Sequence, residues 1–159
     1  MGAGILKLIG EAIMDRKSSI NFSRDLLETY NVWCKPLCKE IQMPKTAFDI
    51  LMFLANNPDY NTARDIVEIR GLKANLVSVN VDKLVNEGFL ERIPDAKDRR
   101  KNMLKCTNKA NPVIEKGRQL QKDFFGRVFD GIDEENLRQF YGVLEQLRTN
   151  IDTMRKEGK

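Results

Sequence analysis

The chain contains no histidine. That absence excludes Ser-His-Asp and Cys-His catalysis and removes a common metal ligand. Its three cysteines, Cys34, Cys38 and Cys106, are too few for a cysteine-only zinc site or a disulfide framework. There is no glycine-rich phosphate loop and no nucleophile–base pair, so neither an enzyme, nor a cofactor, nor a metal site is expected. Long hydrophobic runs are missing too: no apolar stretch approaches the ~20 residues of a membrane span. The stretch from Ile5 to Glu11 is broken by charge and lacks the apolar centre and cleavage site of a secretory signal. The expectation is a cytoplasmic protein with no membrane partner.

What is present is a chain of 159 residues, 42% apolar and 31% charged, enough for a sizeable core. The net charge of +4 is unevenly placed. Between Arg92 and Lys109, seven basic residues (Arg92, Lys97, Arg99, Arg100, Lys101, Lys105, Lys109) face two acidic ones (Asp95, Asp98), a local charge of +5. Such a patch on a nearly neutral body suits a polyanion contacted at one place. Charge alone leaves a solvated loop as the alternative.

Apolar spacing predicts a mainly α chain with a small β hairpin. Ile5, Leu8, Ile9, Ala12 and Ile13 mark a short N-terminal helix. Phe22, Leu26, Tyr30, Trp33, Leu37 and Ile41 mark a longer one, which Pro36 should kink or end. Pro44 opens a core helix carrying Ala47, Ile50, Leu51, Leu54 and Ala55. Thr62 caps another, with Ala63, Ile66, Val67 and Ile69 inward and Gly71 as its stop. A third follows from Ala74 to Glu87, with Ala74, Val77, Val81, Leu84 and Val85 inward and Gly88 ending it.

Phe89–Ile93 and Asn102–Cys106 read as two strands around a charged turn, a hairpin with a basic tip. Thr107 or Asn111 caps the next helix, which carries Leu120, Phe124, Phe125 and Val128 and breaks at Gly131. Asp133 caps the last helix. There Leu137, Phe140, Leu144, Leu147, Ile151 and Met154 recur at alternating spacings of three and four, a heptad seam. It suits packing on a partner chain, with packing on its own domain as the alternative.

Three short helices followed by a two-stranded hairpin is the winged helix-turn-helix order, in which the third helix enters the major groove. The stretches Thr62-Ala63-Arg64-Asp65-Ile66, Val77-Ser78-Val79-Asn80-Val81-Asp82-Lys83-Leu84 and Glu87-Gly88-Phe89-Leu90-Glu91-Arg92 carry a resemblance. So, most strongly, does Asp98-Arg99-Arg100-Lys101-Asn102-Met103-Leu104-Lys105-Cys106-Thr107. On these residues the chain resembles the MarR family of bacterial transcriptional regulators.

The resemblance implies a winged helix domain over 43–106, flanked by dimerisation helices over 1–42 and 107–159. It implies a homodimer on a near-palindromic double-stranded DNA operator, acting as a repressor, and a small-molecule effector that changes the spacing of the two DNA-binding lobes. Arg100 aligns with the family's wing arginine, and Asp98 should orient it by a charge-assisted hydrogen bond. The effector pocket would be lined by Tyr30, Trp33 and Phe48, although aromatics at this spacing also suit a core. The alternatives are a winged-helix module that binds protein without specific DNA recognition, and a cysteine-based redox regulator.

With Val77 and Val81 inward, the candidate recognition helix presents Asn75, Leu76, Val79 and Lys83, with Ser78 at the edge. Asparagine can bond adenine, serine can bond bases or phosphate, and valine or leucine can touch thymine methyls. Arg99 and Arg100 suit phosphate or a narrow minor groove, and Lys73, Lys97 and Lys101 suit phosphate. The chain departs from the family in having Val79 where arginine is frequent and Lys73 where serine or aspartate is frequent. Asn80 also replaces a usual apolar residue. Lys73 has no acceptor with which to cap its helix. Cys34 and Cys38 share a helix face with Lys35 and Lys39 beside them; nearby lysines favour a reactive thiolate, whereas burial favours an inert thiol. Cys106 falls at a core strand position.

Overall fold

The computed structural model describes residues 19–94 and 102–158. The expected helix at Ile5–Ile13 and the hairpin tip lie outside the described residues. The described chain forms two compact units, one ending at Phe124 and the other beginning at Phe125.

In the first unit, α1 runs Ser19–Glu40, α2 Lys45–Asn56, α3 Ala63–Arg70 and α4 Ala74–Asn86. Strands β1 (Leu90–Pro94) and β2 (Asn102–Cys106) follow, then a short 3-10 turn and α5 (Asn111–Val128). The expected mainly α fold with a small β wing is present. The core draws on α1, α2, α4, the hairpin and α5 together: Cys34, Leu37 and Cys38 are buried in the same cluster as Phe48, Leu51, Val81, Leu104 and Ile114. Helices α1 and α5 share this core, contributing Cys34, Leu37 and Cys38 on one side and Val113 and Ile114 on the other.

Pro36 does not end α1. The helix runs on to Glu40 and closes with Gln42 at φ 52. There Met43 N–H reaches the Cys38 carbonyl (3.0 Å) and Gln42 N–H the Lys39 carbonyl (3.2 Å), the paired bonds of a Schellman ending. Phe22, expected inward, is exposed, and the buried face is Cys34, Leu37 and Cys38. Pro44 stands at the N-cap of α2, one residue before the expected position. Helix α2 is buried nearly all round, as suits a helix enclosed by others.

Thr62 caps α3 in a reciprocal box. Its hydroxyl accepts from Asp65 N–H (3.1 Å), and the Asp65 carboxylate accepts from Thr62 N–H (2.9 Å). Gly71 follows in the left-handed conformation at φ 63. Of the expected inward residues only Ile66 is buried and Val67 partly so; Ala63 and Ile69 are exposed, because so short a helix packs a single edge. Ala74 is exposed too, at the very start of α4. That helix ends with Phe89 N–H on the Leu84 carbonyl (2.8 Å) and Gly88 N–H on the Val85 carbonyl (2.9 Å). Phe89 belongs to this turn, so β1 begins at Leu90.

The strands pair antiparallel, with Leu90 opposite Cys106, Arg92 opposite Leu104 and Pro94 opposite Asn102. Leu104 N–H also donates to the Asn61 carbonyl (2.7 Å), tying the hairpin to the start of α3. Thr107 does not use its side chain as a cap; its hydroxyl donates to the Gly88 carbonyl (2.6 Å).

In the second unit, Gly131 turns the chain at φ 76 and Asp133 caps α6 (Glu134–Glu157), accepting from Asn136 N–H at 2.8 Å. That bond holds the Asp133 carboxyl below the usual range. Phe129 stacks on Phe125 and meets Phe140 and Tyr141 at tilted angles. Phe125, expected inward, is exposed.

Candidate nucleic-acid interface

Helix α4 is seated by its inner face. Val77, Val81 and Leu84 are buried, and the helix packs on α2, α3 and β1. Asn80 also lies inward, 8% exposed. Its amide Nδ2 donates to the Leu76 carbonyl (2.8 Å), so the buried polar group is satisfied within its own helix. This is how asparagine occupies a place where an apolar residue is usual.

The outer face carries Asn75, Leu76, Ser78, Val79 and Asp82, all exposed. Its charges are occupied: Asp82 pairs with Arg92 of β1, and Lys83, half-buried, pairs with Glu87 at 2.9 Å. As expected from its side chain, Lys73 sits at the N-cap of α4 without capping it. The first turn is served instead by Asn75, whose Oδ1 accepts from Leu76 N–H (2.9 Å). Among the described residues no acceptor takes the donors of the Asn75 amide nitrogen. Lys97, Asp98, Arg99, Arg100 and Lys101 lie outside the described residues.

The structure adds groups that the sequence reading missed. Arg92 and Asp82 lie ten positions apart, and no local pattern marks them as a pair. Arg64 pairs with Glu68 (2.7 Å) on the exposed side of α3; here the spacing of four was a usable signal. Between α3, α4 and the hairpin lies a largely apolar groove of about 450 Å³, lined by Ala63, Val67, Val77, Ser78, Val81, Arg92 and Leu104 among others.

The aromatic residues named for an effector pocket are placed differently from one another. Phe48 is fully buried, whereas Tyr30 and Trp33 are partly exposed and meet Phe124 edge-on at 5.1 and 6.0 Å between ring centres. Burial pushes the Tyr30 phenol well above its ordinary range. Burial also raises the Cys34 and Cys38 thiols, against smaller opposing pulls from the Tyr30 hydrogen bond at Cys34 and from Lys45 at both. Lys35 and Lys39 are exposed while both cysteines are buried, so of the two influences on these thiols desolvation is the larger. Cys106 is partly buried and free.

The heptad seam is bare. Phe140, Leu144, Leu147, Ile151 and Met154 are each at least 43% exposed, Leu137 is partly exposed, and α6 has no buried residue. Among the described residues no helix is long and apolar enough to cross a membrane, and no cluster of three potential metal ligands occurs.

A third helix bare on its outer face, fed by a capped second helix and followed by a two-stranded wing, defines a winged helix-turn-helix protein. Residues 41–101 match the model of the MarR family. The chain is 25% identical over 123 residues to the HTH-type transcriptional regulator BilQ of Clostridium symbiosum, covering 76% of this chain and 83% of that one. Its fold matches a Listeria monocytogenes protein assigned to the MarR family and complexed with a 26mer DNA (TM-score 0.74, 15% identity, 85% of this chain and 89% of that one). It also matches a MarR transcriptional regulator from Methanosarcina mazei Go1 (TM-score 0.68, 20% identity, 93% and 99%). The winged helix segment of the chain thus matches the MarR family model, and most of its length is similar to a curated transcriptional regulator and to solved structures of the same fold.

Proposed function

We propose that the protein is a homodimeric, sequence-specific repressor in the cytoplasm, bound to a near-palindromic operator and modulated by a small effector. The observation that carries this reading is the uncovered seam of α6. A helix none of whose apolar heptad positions is buried in the single chain is stabilised by a second copy packing along it. A two-fold pair then presents two recognition helices to successive major grooves, and the operator mirrors that symmetry. The outer face of α4 supplies base contacts through Asn75, Leu76, Ser78 and Val79. Lys73, Lys97, Arg99, Arg100 and Lys101 supply phosphate or minor-groove contacts, Asp98 orients the wing arginine, and Lys83 joins them on leaving Glu87. Support for an effector comes from the apolar groove beneath α4, whose volume suits a small molecule.

The test is sedimentation of the purified protein together with gel shifts on the DNA upstream of its own gene at two salt concentrations. A dimer whose binding survives nonspecific competitor and weakens steeply with salt is expected. A monomer, or weak binding abolished equally by any competitor, overturns the reading.

A further inference from the structure

The outer face of α4 has an unusual balance for a helix that meets DNA. Val79, near its centre, is 66% exposed, and Leu76, one turn before it, is 41% exposed. Both are apolar, and the charged groups further along are held in ion pairs, Asp82 with Arg92 and Lys83 with Glu87. The first two turns thus offer no cation to the guanine edge, where arginine or lysine makes the commonest specific contact. They offer two aliphatic side chains, an amide and a hydroxyl. In the major groove the apolar feature of the base edges is the thymine 5-methyl group.

Resting on the DNA-binding reading above, we infer that this regulator reads thymine methyl groups through Val79 and Leu76, so that its operator half-sites are defined by thymine itself. Exposed aliphatic side chains on a free helix are hydrated at a cost, and a methyl placed against them removes water from both surfaces. Hydrogen bonds from Asn75 and Ser78 set register beside them. The source of specificity is a group that carries neither charge nor a hydrogen bond, so it can be deleted from the DNA without altering the pairing edges.

The experiment uses the full-length protein and duplexes enriched by it from a random-sequence pool. Each enriched duplex is then remade with deoxyuridine in place of thymidine, which removes only the 5-methyl groups. Burying one methyl corresponds to about fourfold in affinity, so a symmetric pair of half-sites with one contact each should lose about fifteenfold. Val79→Ala lies on an exposed position and leaves the fold intact; in that variant the thymine-to-uracil loss should shrink to a few-fold, while the salt slope stays unchanged. Equal affinity of the unaltered protein for the two duplexes overturns the inference. So does an equal loss in the unaltered protein and in a Leu76→Ala, Val79→Ala double variant, since the methyl groups would then act through DNA shape. A protein that binds no duplex in a salt-dependent way overturns the DNA-binding reading itself, a different and separately visible failure.

Discussion

Arg92 of the first wing strand donates a charge-assisted hydrogen bond to Asp82 of the recognition helix. The pair joins the two elements that would meet DNA, and it takes an acidic group on the outer face of α4 out of play. Both side chains are substantially exposed, at 39% and 54%, so the contribution to stability is below about 1 kcal/mol. The effect on function is expected to be of about the same size. Arg92→Ala should weaken binding to selected duplexes about fivefold, and adding Asp82→Ala should cause no further loss, the pattern of two residues acting as one unit. Additive losses in that double-mutant cycle would show that the pair does not position the wing.

The seam of α6 makes a sharp prediction for assembly. Leu144→Asp places a carboxylate in the middle of an apolar row, where pairing would bury it without a partner. Sedimentation should show the dimer dissociating at concentrations about a hundredfold higher or more, with the helical content of each chain retained. A variant that still sediments as the original dimer would remove α6 from the interface.

Two glycines in helices should respond oppositely to alanine. A Cβ on Gly117 would stand 2.4 Å from the Met52 sulfur and 3.1 Å from the Phe48 ring, and both of those residues are buried. Overpacking of about 1–3 kcal/mol outweighs the helix-propensity gain of about 1 kcal/mol, so Gly117→Ala should lower stability. Gly142, with nothing within 4 Å of its Cβ position, lies off the seam; Gly142→Ala should raise stability by up to about 1 kcal/mol. Urea unfolding of the two variants reads the difference in sign.

The capping box at the start of α3 is open to a direct test. Thr62→Ala removes the acceptor for Asp65 N–H and leaves Asp65 with half of a reciprocal pair. A loss of about 1 kcal/mol is expected from thermal unfolding, with Thr62→Ser restoring most of it. Alanine-like stability in the serine variant would assign the effect to lost packing instead.

Burial of Cys34 sets a pH dependence. The folded protein keeps this thiol protonated above its ordinary value of 9.0, whereas the unfolded chain releases the proton there. The folded state therefore binds more protons at high pH, and its stabilisation is complete below the unfolded value and lost as pH rises through the folded one. Tyr30 acts in the same direction at still higher pH. Urea midpoints should fall between about pH 8 and pH 10, and Cys34→Ala should flatten that fall whatever its starting stability. A fall of undiminished steepness in the variant would assign it to other groups.

Much of this protein was legible from local chemistry. Thr62 with Asp65, Asp133 with its first turn, and Gly71, Gly88 and Gly131 announced helix ends through side-chain oxygens and left-handed backbone, which depend only on near neighbours. The order of helices and hairpin, the basic segment around Arg99 and Arg100, and the outward set of Asn75, Leu76, Ser78 and Val79 followed from spacing alone.

What spacing leaves open is the surface that covers each apolar face. Phe22, Ile69, Ala74 and Phe125 fall on helical stripes yet stand in solvent, while Asn80 is buried because its amide can bond the carbonyl of Leu76. The sequence determined the class of fold and the chemistry offered by the recognition helix, because both arise from contacts a few residues apart. Only the tertiary structure decided that the lysines beside Cys34 face water while the thiol is desolvated, that Arg92 meets Asp82, and that the α6 seam is left bare. Those outcomes depend on which elements meet in space, and periodicity along one helix carries no information about its neighbour.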